Sequence, residues 1–195
     1  MLKQKLLILF SFLILSLAYT YYSKNKTLEI LTVNQSLELL KEFPNISSLE
    51  FISPSTYKFE KFNQNVLPSN QSYKIFFHFW ATWCAPCEKE FPDLLNLVSK
   101  LNSQDWIIFI VAVNDDYKKV EKFFSRFPQL LELNSKAESN VYFLFDNNNV
   151  HKVGFNTYKL PETIIFDQNK KLLKRFVGPQ DWMSNPDLKN FFKIQ

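Results

Sequence analysis

The chain has 195 residues, of which 46% are hydrophobic and 22% are charged, so its composition is that of a folded protein and not of a disordered one. It contains only two glycines, which excludes the glycine-rich loops that bind phosphates and dinucleotides. Two of the 23 basic residues, Lys3 and Lys5, precede an apolar run, and the others nearly balance the 19 acidic ones, which gives no electrostatic case for binding nucleic acid. Both cysteines lie close together, at Cys84 and Cys87.

The first segment of the chain, residues 6–22, is an uncharged apolar run with lysines on both sides. At about 1.5 Å per residue, a helix of this length spans roughly 26 Å, which is close to the ~30 Å hydrocarbon core of a bilayer. A cleaved signal peptide is the alternative, with Ser16 and Ala18 as a weak cleavage site, but its apolar region is usually shorter. We therefore predict an uncleaved membrane anchor over residues 1–23, single-pass in the inner (cytoplasmic) membrane, with the rest of the chain on the periplasmic or extracytoplasmic side.

Residues 24–47 are predicted to be a spacer that contains one short helix after Ser36. Residues 48–195 are predicted to form one domain that starts with a pair of short strands, over 49–52 and 57–62. Further strands are predicted at 74–80, 106–113, 141–145, 162–166 and 172–177, and helical segments after Cys84 and over 115–127, 147–153 and 186–194.

The alternation of strands and helices, followed by a closing hairpin, predicts an α/β fold. We expect a central mixed β-sheet flanked by helices, with the strand pair as an N-terminal extension. Asn and Asp stand where glycine normally makes turns, at residues 114–116 and 147–149, since both tolerate the left-handed conformation.

Cys84 and Cys87 lie where a predicted buried strand leads into a predicted helix. The free N–H groups and the dipole of a helix N-terminus stabilise a thiolate, which lowers its pKa below the free value of about 8.5. Cys84 is expected to be exposed and Cys87, three residues on, to be more covered. Attack by Cys84 on a disulfide forms a mixed disulfide that Cys87 then resolves. The spacing therefore indicates a reversible redox centre.

Other interpretations of the cysteine pair remain open. A structural disulfide that closes so short a loop removes little chain entropy. A zinc site would need four ligands, and only His78 and His151 remain as nitrogen donors. We predict no metal site and no cofactor other than the redox-active disulfide Cys84–Cys87.

Residues 79–87, FWATWCAPC, resemble the active-site segment of the thioredoxin superfamily. The continuation EKEFP over 88–92 resembles the membrane-anchored, extracytoplasmic TlpA-like branch, which includes the thiol reductases of cytochrome c maturation, and the short motifs at 161–163 and 177–179 favour those members. The resemblance covers roughly residues 49–177. It implies a thioredoxin-like fold, protein thiol and disulfide substrates, and a membrane thiol reductant as electron donor.

The resemblance also implies several site residues. Pro161 matches the cis-proline that faces the CxxC, and its missing N–H would leave the backbone before it free to pair with a bound peptide. The residues implied in substrate binding are Ala85, Pro86, Leu160 and Pro161. Leu160 is bulkier than the small residue often found before this proline, which leaves the identity of the substrate open.

Three further positions have both a functional and a structural interpretation. Glu90 matches an acidic residue near the site and can tune the cysteines or relay protons, or it is a solvated helix carboxylate. Trp83 matches an aromatic residue beside the motif, for which a structural role is the default. His78 stands where the superfamily has Asp or Asn; it either takes the proton of Cys87 or is a hydrogen-bonded core histidine.

The predicted function is that of an extracytoplasmic, membrane-tethered thiol–disulfide oxidoreductase, a reductant of protein disulfides such as those of apocytochrome c. A thiol oxidase of the same fold is one alternative, because the motif does not define the direction of electron flow. A metallochaperone that binds Cu(I) between the cysteines is another, with Met183 as the methionine outside the N-terminal segment.

Overall fold

The computed structural model describes residues 44–52, 59–61, 73–101, 105–130, 133 and 140–194, together with residues 16 and 19–23. The chain divides into two compact units, residues 1–41 and 42–195. In the first unit, residues 16 and 19–23 are helical, and the other residues of the predicted anchor and most of the predicted spacer lie outside the described residues. Among the described residues, no helix has the length and apolar character that crossing a membrane requires. The boundaries at 23 and 47 stay predictions.

The second unit is built on one β-sheet. Its strands are β1 (Glu50–Ile52), β2 (Phe59–Lys61), β3 (Lys74–Trp80), β4 (Trp106–Val113), β5 (Val141–Asp146), β6 (Glu162–Phe166) and β7 (Leu172–Val177), and its helices are α1 (Ala85–Leu101), α2 (Tyr117–Phe124), α3 (Val150–Val153) and α4 (Pro186–Phe192). Within the described ranges the seven strands lie in the order β2-β1-β5-β4-β3-β6-β7. The three central strands β5, β4 and β3 are parallel, and the outer strands pair antiparallel. The predicted mixed sheet and its N-terminal strand pair are confirmed.

Strand β3, which leads to the cysteines, is covered on both faces. Phe76 and Trp80 belong to the core that packs against α1, α2 and α4. Because side chains alternate along a strand, Phe77 and Phe79 lie on the opposite face, where their ring centroids are 4.5 Å and 4.9 Å from that of Phe155. A strand buried on both faces must be almost continuously apolar, which is the pattern that predicted it.

Helix α1 begins directly after Cys84, and its apolar face packs against the sheet. The buried residues of this helix are Cys87, Glu90, Phe91, Leu94, Leu95, Leu97, Val98 and Leu101. The ring of Phe91 lies 4.9 Å from that of Trp80, which in turn lies 4.5 Å from that of Phe123 in α2. These ring contacts fix the start of α1, and with it both cysteines, to the end of β3.

Three predicted helices differ from the observed ones at their ends. The helix predicted over 147–153 begins only at Val150, after Asn149 in a left-handed conformation with φ 56°. The helix predicted over 115–127 begins at Tyr117, because the Asp116 side chain caps it and accepts hydrogen bonds from the backbone of Lys118 and Lys119. The helix predicted over 186–194 ends at Phe192, because Lys193 adopts a left-handed conformation with φ 55°.

Candidate active site

The two cysteines form a disulfide at the N-terminus of α1. The S–S distance is 2.02 Å, and the two Cα atoms lie 5.3 Å apart. The backbone N–H of Cys87 donates to the sulfur of Cys84 at 3.3 Å, so a free N–H of the first helical turn is directed at that sulfur. The same N–H would stabilise a Cys84 thiolate when the bond is reduced.

The cysteines differ in exposure in the predicted order, but both are well covered. Cys84 is 5% exposed and Cys87 is fully buried. Cys84 is less exposed than we expected because it lies in a pocket of about 490 Å³, whose lining includes Trp83 and Leu160. A substrate must therefore reach the sulfur of Cys84 through this pocket.

The peptide bond between Leu160 and Pro161 is cis, as predicted. Three of the residues assigned to substrate binding, Ala85, Pro86 and Leu160, line the pocket together with Cys84. Pro161 is buried, and its carbonyl oxygen accepts a hydrogen bond from the backbone N–H of Gly178 at 2.8 Å. The structure thus places Cys84, the two residues after it and the residue before the cis-proline on one cavity.

The turn that precedes Cys84 is held by the loop after β4. The backbone N–H and the hydroxyl of Thr82 both donate to the Asp115 carboxylate, at 2.5 Å and 2.7 Å. Trp83 is 60% exposed, and its indole N–H donates to the carbonyl oxygen of Asn114 at 3.0 Å. The sequence pattern marked Asp115 only as a turn residue. Its position at the carboxyl end of a strand parallel to β3 was a signal that it lies near the CxxC.

Glu90 is a buried residue, so the alternative of a solvated helix carboxylate is wrong. The residue is 6% exposed, and its carboxyl group accepts a hydrogen bond from the backbone N–H of Gln180 at 2.7 Å. Burial raises the pKa of Glu90 to about 7 and the negative charge of Asp93 adds to the rise, although donation from the Gln180 N–H and the nearby indole of Trp182 oppose it. The group can therefore hold or release a proton near neutral pH.

His78 lies fully buried in β3 and is a hydrogen-bonded core histidine. Its Nδ1 atom is 2.8 Å from the hydroxyl of Thr163, and its Nε2 atom is 3.5 Å from Oε1 of Glu90. Burial lowers the pKa of His78 to about 3, so the ring is neutral at physiological pH. Transfer of the Cys87 proton to His78 stays a prediction.

A buried aspartate–histidine pair on the pocket wall was not singled out from the sequence. The Nδ1–H of His151 donates to the Asp146 carboxylate at 2.5 Å, and Nε2 lies 3.3 Å from the side-chain amide of Asn114. Burial alone would raise the pKa of Asp146, but hydrogen bonds from the side chain and backbone of His151 and from the backbone of Val150 lower it overall. The sequence feature that could have revealed this pair is an acidic residue, Asp146, at the end of a predicted buried strand.

A buried ion pair between Glu162 and Arg175 connects β6 to β7 directly after the cis-proline. The guanidinium donates to the carboxylate at 2.8 Å and to the carbonyl oxygens of Phe155 at 2.5 Å and Asn156 at 3.3 Å. The Arg175 side chain thereby fixes the chain segment on either side of Pro161. The sequence pattern assigned neither residue a role.

The metal interpretations find no support in the arrangement of their residues. His78 lies in the sheet and His151 faces Asp146, while Met183 packs against the hydrophobic core. In the part of the chain that the structure describes, no three His, Cys, Asp or Glu side chains are grouped so that they could hold a metal ion.

Comparison with known proteins yields relatives that are named thiol-disulfide oxidoreductases. Thiol-disulfide oxidoreductase ResA of Geobacillus thermodenitrificans is 32% identical over 115 residues, and ResA of Bacillus subtilis is 26% identical over 119 residues. These matches cover 59% of this chain and 59% of the first relative, and 61% of both chains for the second. The chain thus spans about three-fifths of the length of the curated relatives it matches.

A solved structure gives the fold. The structure of a secreted Mycobacterium tuberculosis disulfide oxidoreductase homologous to E. coli DsbE covers 80% of this chain, and 97% of that protein is covered, with a TM-score of 0.54 and 18% identity. The thioredoxin-like fold that the CxxC segment implied is therefore confirmed. The Redoxin family matches residues 42–191, which include the sheet, the CxxC and the cis-proline. By this match, which covers most of the sequence, the chain belongs to the Redoxin family.

Proposed function

We propose that this protein is a thiol–disulfide oxidoreductase whose reactive group is the Cys84–Cys87 disulfide. The observation that carries the proposal is the position of that disulfide at the N-terminus of α1, with Cys84 lining a pocket that Leu160, the residue before the cis-proline, also lines. The relatives described above are named thiol-disulfide oxidoreductases, which supports the same reaction class.

The unequal burial of Cys84 and Cys87 supports an order of action in a reducing cycle. In the reduced enzyme the Cys84 thiolate, on the pocket, attacks one sulfur of a substrate disulfide and releases the other as a thiolate that takes up a proton. The buried Cys87 thiolate then attacks Cys84, which closes the Cys84–Cys87 bond and releases the second substrate thiol. Two electrons and two protons reach the substrate, and the enzyme is left in the oxidised state seen here.

Glu90 is suited to handle a proton of this cycle. It lies three residues after Cys87 on α1, so the two side chains share a face of the helix. A carboxyl group with a pKa of about 7 is populated in both protonation states near neutral pH. It can therefore accept a proton from the Cys87 thiol before that sulfur attacks.

We also propose that the protein is tethered to the membrane and works on its outer side, as a reductant of protein disulfides such as those of apocytochrome c. The support is in the sequence: the apolar run over 6–22, and the short motifs at 161–163 and 177–179. A membrane thiol reductant would then return the Cys84–Cys87 disulfide to its dithiol form with two electrons and two protons.

The reaction class is tested with full-length protein in detergent, by following the reduction of insulin disulfides with dithiothreitol as the electron donor. We expect the wild type to accelerate the reaction and the variants Cys84→Ser and Cys87→Ser to lose the acceleration. A folded wild-type protein with a free dithiol that fails to accelerate it would contradict the proposal.

The direction of electron flow needs a second measurement, the equilibrium of the disulfide against glutathione or dithiothreitol. Potentials in this superfamily extend from about −270 mV for reductants to about −120 mV for strong oxidants. We expect a value near the reducing end, and a value near the oxidising end would assign the protein as a thiol oxidase.

A further inference from the structure

The turn before Cys84 is held by hydrogen bonds to two adjacent residues, Asn114 and Asp115, of the loop after β4. Asp115 binds Thr82 through both carboxylate oxygens, and the carbonyl oxygen of Asn114 accepts the indole N–H of Trp83. Asn114 adopts a left-handed conformation with φ 50°, which turns the chain sharply between β4 and the cap of α2. The position of the Asn114 carbonyl therefore decides where the Trp83 ring lies.

The side chain of Asn114 is held in turn by the buried pair behind it. The Asp146 carboxylate is fully buried and accepts backbone N–H groups of Asn148, Val150 and His151 at 3.0, 3.0 and 2.8 Å. A carboxylate fixed in this way orients the His151 ring by accepting its Nδ1–H. The Nε2 lone pair is then free to accept the side-chain amide of Asn114, 3.3 Å away.

These contacts form a continuous series of hydrogen bonds from the buried Asp146 carboxylate to the exposed ring of Trp83, beside Cys84. Trp83 is 60% exposed, whereas the other three tryptophans, at 80, 106 and 182, are buried. Packing alone does not immobilise so exposed a ring, so its place on the pocket wall depends on the bond to Asn114. Trp83, His151 and Asn114 all line the pocket that contains Cys84.

We propose that His151, oriented by Asp146, is a positioning residue that acts through Asn114 to hold Trp83 as a fixed wall of the pocket, and that it thereby sets the affinity for disulfide-bearing protein substrates. The inference rests on the proposed thiol–disulfide exchange at Cys84. A fixed aromatic wall contributes contact area without the entropy cost of ordering a mobile ring on binding. Loss of the hydrogen bonds that hold Trp83 should therefore weaken substrate binding more than it slows the chemical step.

Two substitutions in the full-length protein interrupt this series of hydrogen bonds at different residues. His151→Phe keeps a ring of similar size but removes both hydrogen bonds of the imidazole. Asn114→Gly removes the side-chain amide at a left-handed position that glycine tolerates, so it keeps the test open if His151→Phe does not fold. Val153→Ser is the matched control, because it changes an 86% exposed residue of the same short helix α3.

With insulin as the substrate, we expect KM to rise about three- to tenfold in either variant, the effect of losing one net hydrogen bond. We expect kcat to stay within about twofold of the wild type. His151→Gln, which retains an amide donor for Asp146 and an acceptor for Asn114, should restore most of the affinity, and Val153→Ser should leave KM unchanged. An unchanged KM in folded His151→Phe or Asn114→Gly would overturn the proposal.

The hydrogen bond between the Trp83 indole and Asn114 can be followed by NMR, whether or not the protein reduces insulin. The indole N–H resonance of Trp83 is identified by its absence in Trp83→Phe. In His151→Phe and Asn114→Gly it should shift and exchange with solvent faster than in the wild type, while the indole signals of the three buried tryptophans stay in place. A Trp83 signal with unchanged position and exchange rate would overturn the proposal, and failure of the wild type to reduce insulin would contradict only the proposed function.

Discussion

Oε1 of Glu90 and Nε2 of His78 face each other 3.5 Å apart in the core between α1 and the sheet. Burial moves the two groups in opposite directions, since it raises the pKa of the carboxyl to about 7 and lowers that of the imidazole to about 3. Between these values both groups are neutral. As pH rises above 7, the pair gains one negative charge close to the buried Cys87.

We predict that the stability cost of Glu90 appears as pH rises. Its pKa is higher in the folded state than in the unfolded chain, so its contribution is most favourable below about pH 4.5 and is lost as pH rises to about 7. In urea unfolding, Glu90→Gln should therefore gain stability relative to wild type by up to about 2 kcal/mol on going from pH 5 to pH 8. An equal difference in the free energy of unfolding at both pH values would contradict the shifted pKa.

For His78 we predict a ring that stays neutral throughout the range in which free histidine titrates. Its lowered pKa means that the folded protein binds this proton only near pH 3, so the stability it contributes is present above about pH 6.5 and is lost as pH falls from there towards 3. The chain has two histidines, so His151→Phe assigns their ring signals in NMR spectra. In a Glu90→Gln background, which removes the neighbouring carboxyl that titrates near pH 7, we expect the His78 ring signals to stay constant from pH 8 to pH 5. A midpoint near 6.5 in that background would refute the neutral ring.

Removal of the Asp115 carboxylate is predicted to loosen the reactive turn. Asp115→Ala leaves the backbone N–H and the hydroxyl of Thr82 without their acceptor, which should cost about 2 kcal/mol of unfolding free energy and reduce the rate of insulin reduction. Thr82→Val removes only the hydroxyl bond and should show a smaller loss of both.

The adjacent Asp116 provides a control for that experiment. Asp116→Ala removes the cap of α2 and should cost about 1 kcal/mol of stability, but it leaves the contacts of Thr82 intact. If Asp115→Ala and Asp116→Ala reduced activity equally, the effect would be one of general stability and not of the turn.

The unequal burial of the two sulfurs predicts which variant traps a substrate. In Cys87→Ser the less buried cysteine, Cys84, still attacks, but the mixed disulfide has no resolving thiol. We expect the reduced variant to form a covalent adduct with insulin chains on a non-reducing gel, and Cys84→Ser to form far less. Equal trapping by both variants would mean that Cys87 is also reachable from the pocket.

Those parts of the fold that are determined by the pattern of residues within one segment could be predicted from the sequence. The apolar runs of β3, β4 and β6 define buried strands by themselves, and their predicted ends are correct. The start of α2 was two residues off because a side-chain cap, and not the helical pattern, decides it.

In the site, too, the residues of a single segment could be predicted and the contacts between segments could not. Cys84 and Cys87 carry their chemistry in four consecutive residues, so their spacing was informative. The cis bond before Pro161 was expected only from the resemblance, because the bare prior for a cis X–Pro bond is about 5–6%. The contacts of Asn114 with His151 and of Asp115 with Thr82 arise where the ends of neighbouring parallel strands meet, and no pattern along a single segment shows them.

The disulfide spans only three positions along the chain, and both of its cysteines belong to the same strand-to-helix junction. Opening it releases no long loop and separates no two elements of the sheet, which is held by its strand pairing and by the ring contacts of Trp80 with Phe91 and Phe123. The redox state of the protein is thus mechanically uncoupled from its scaffold. We therefore expect oxidation and reduction of Cys84 and Cys87 to leave the fold around the pocket unchanged.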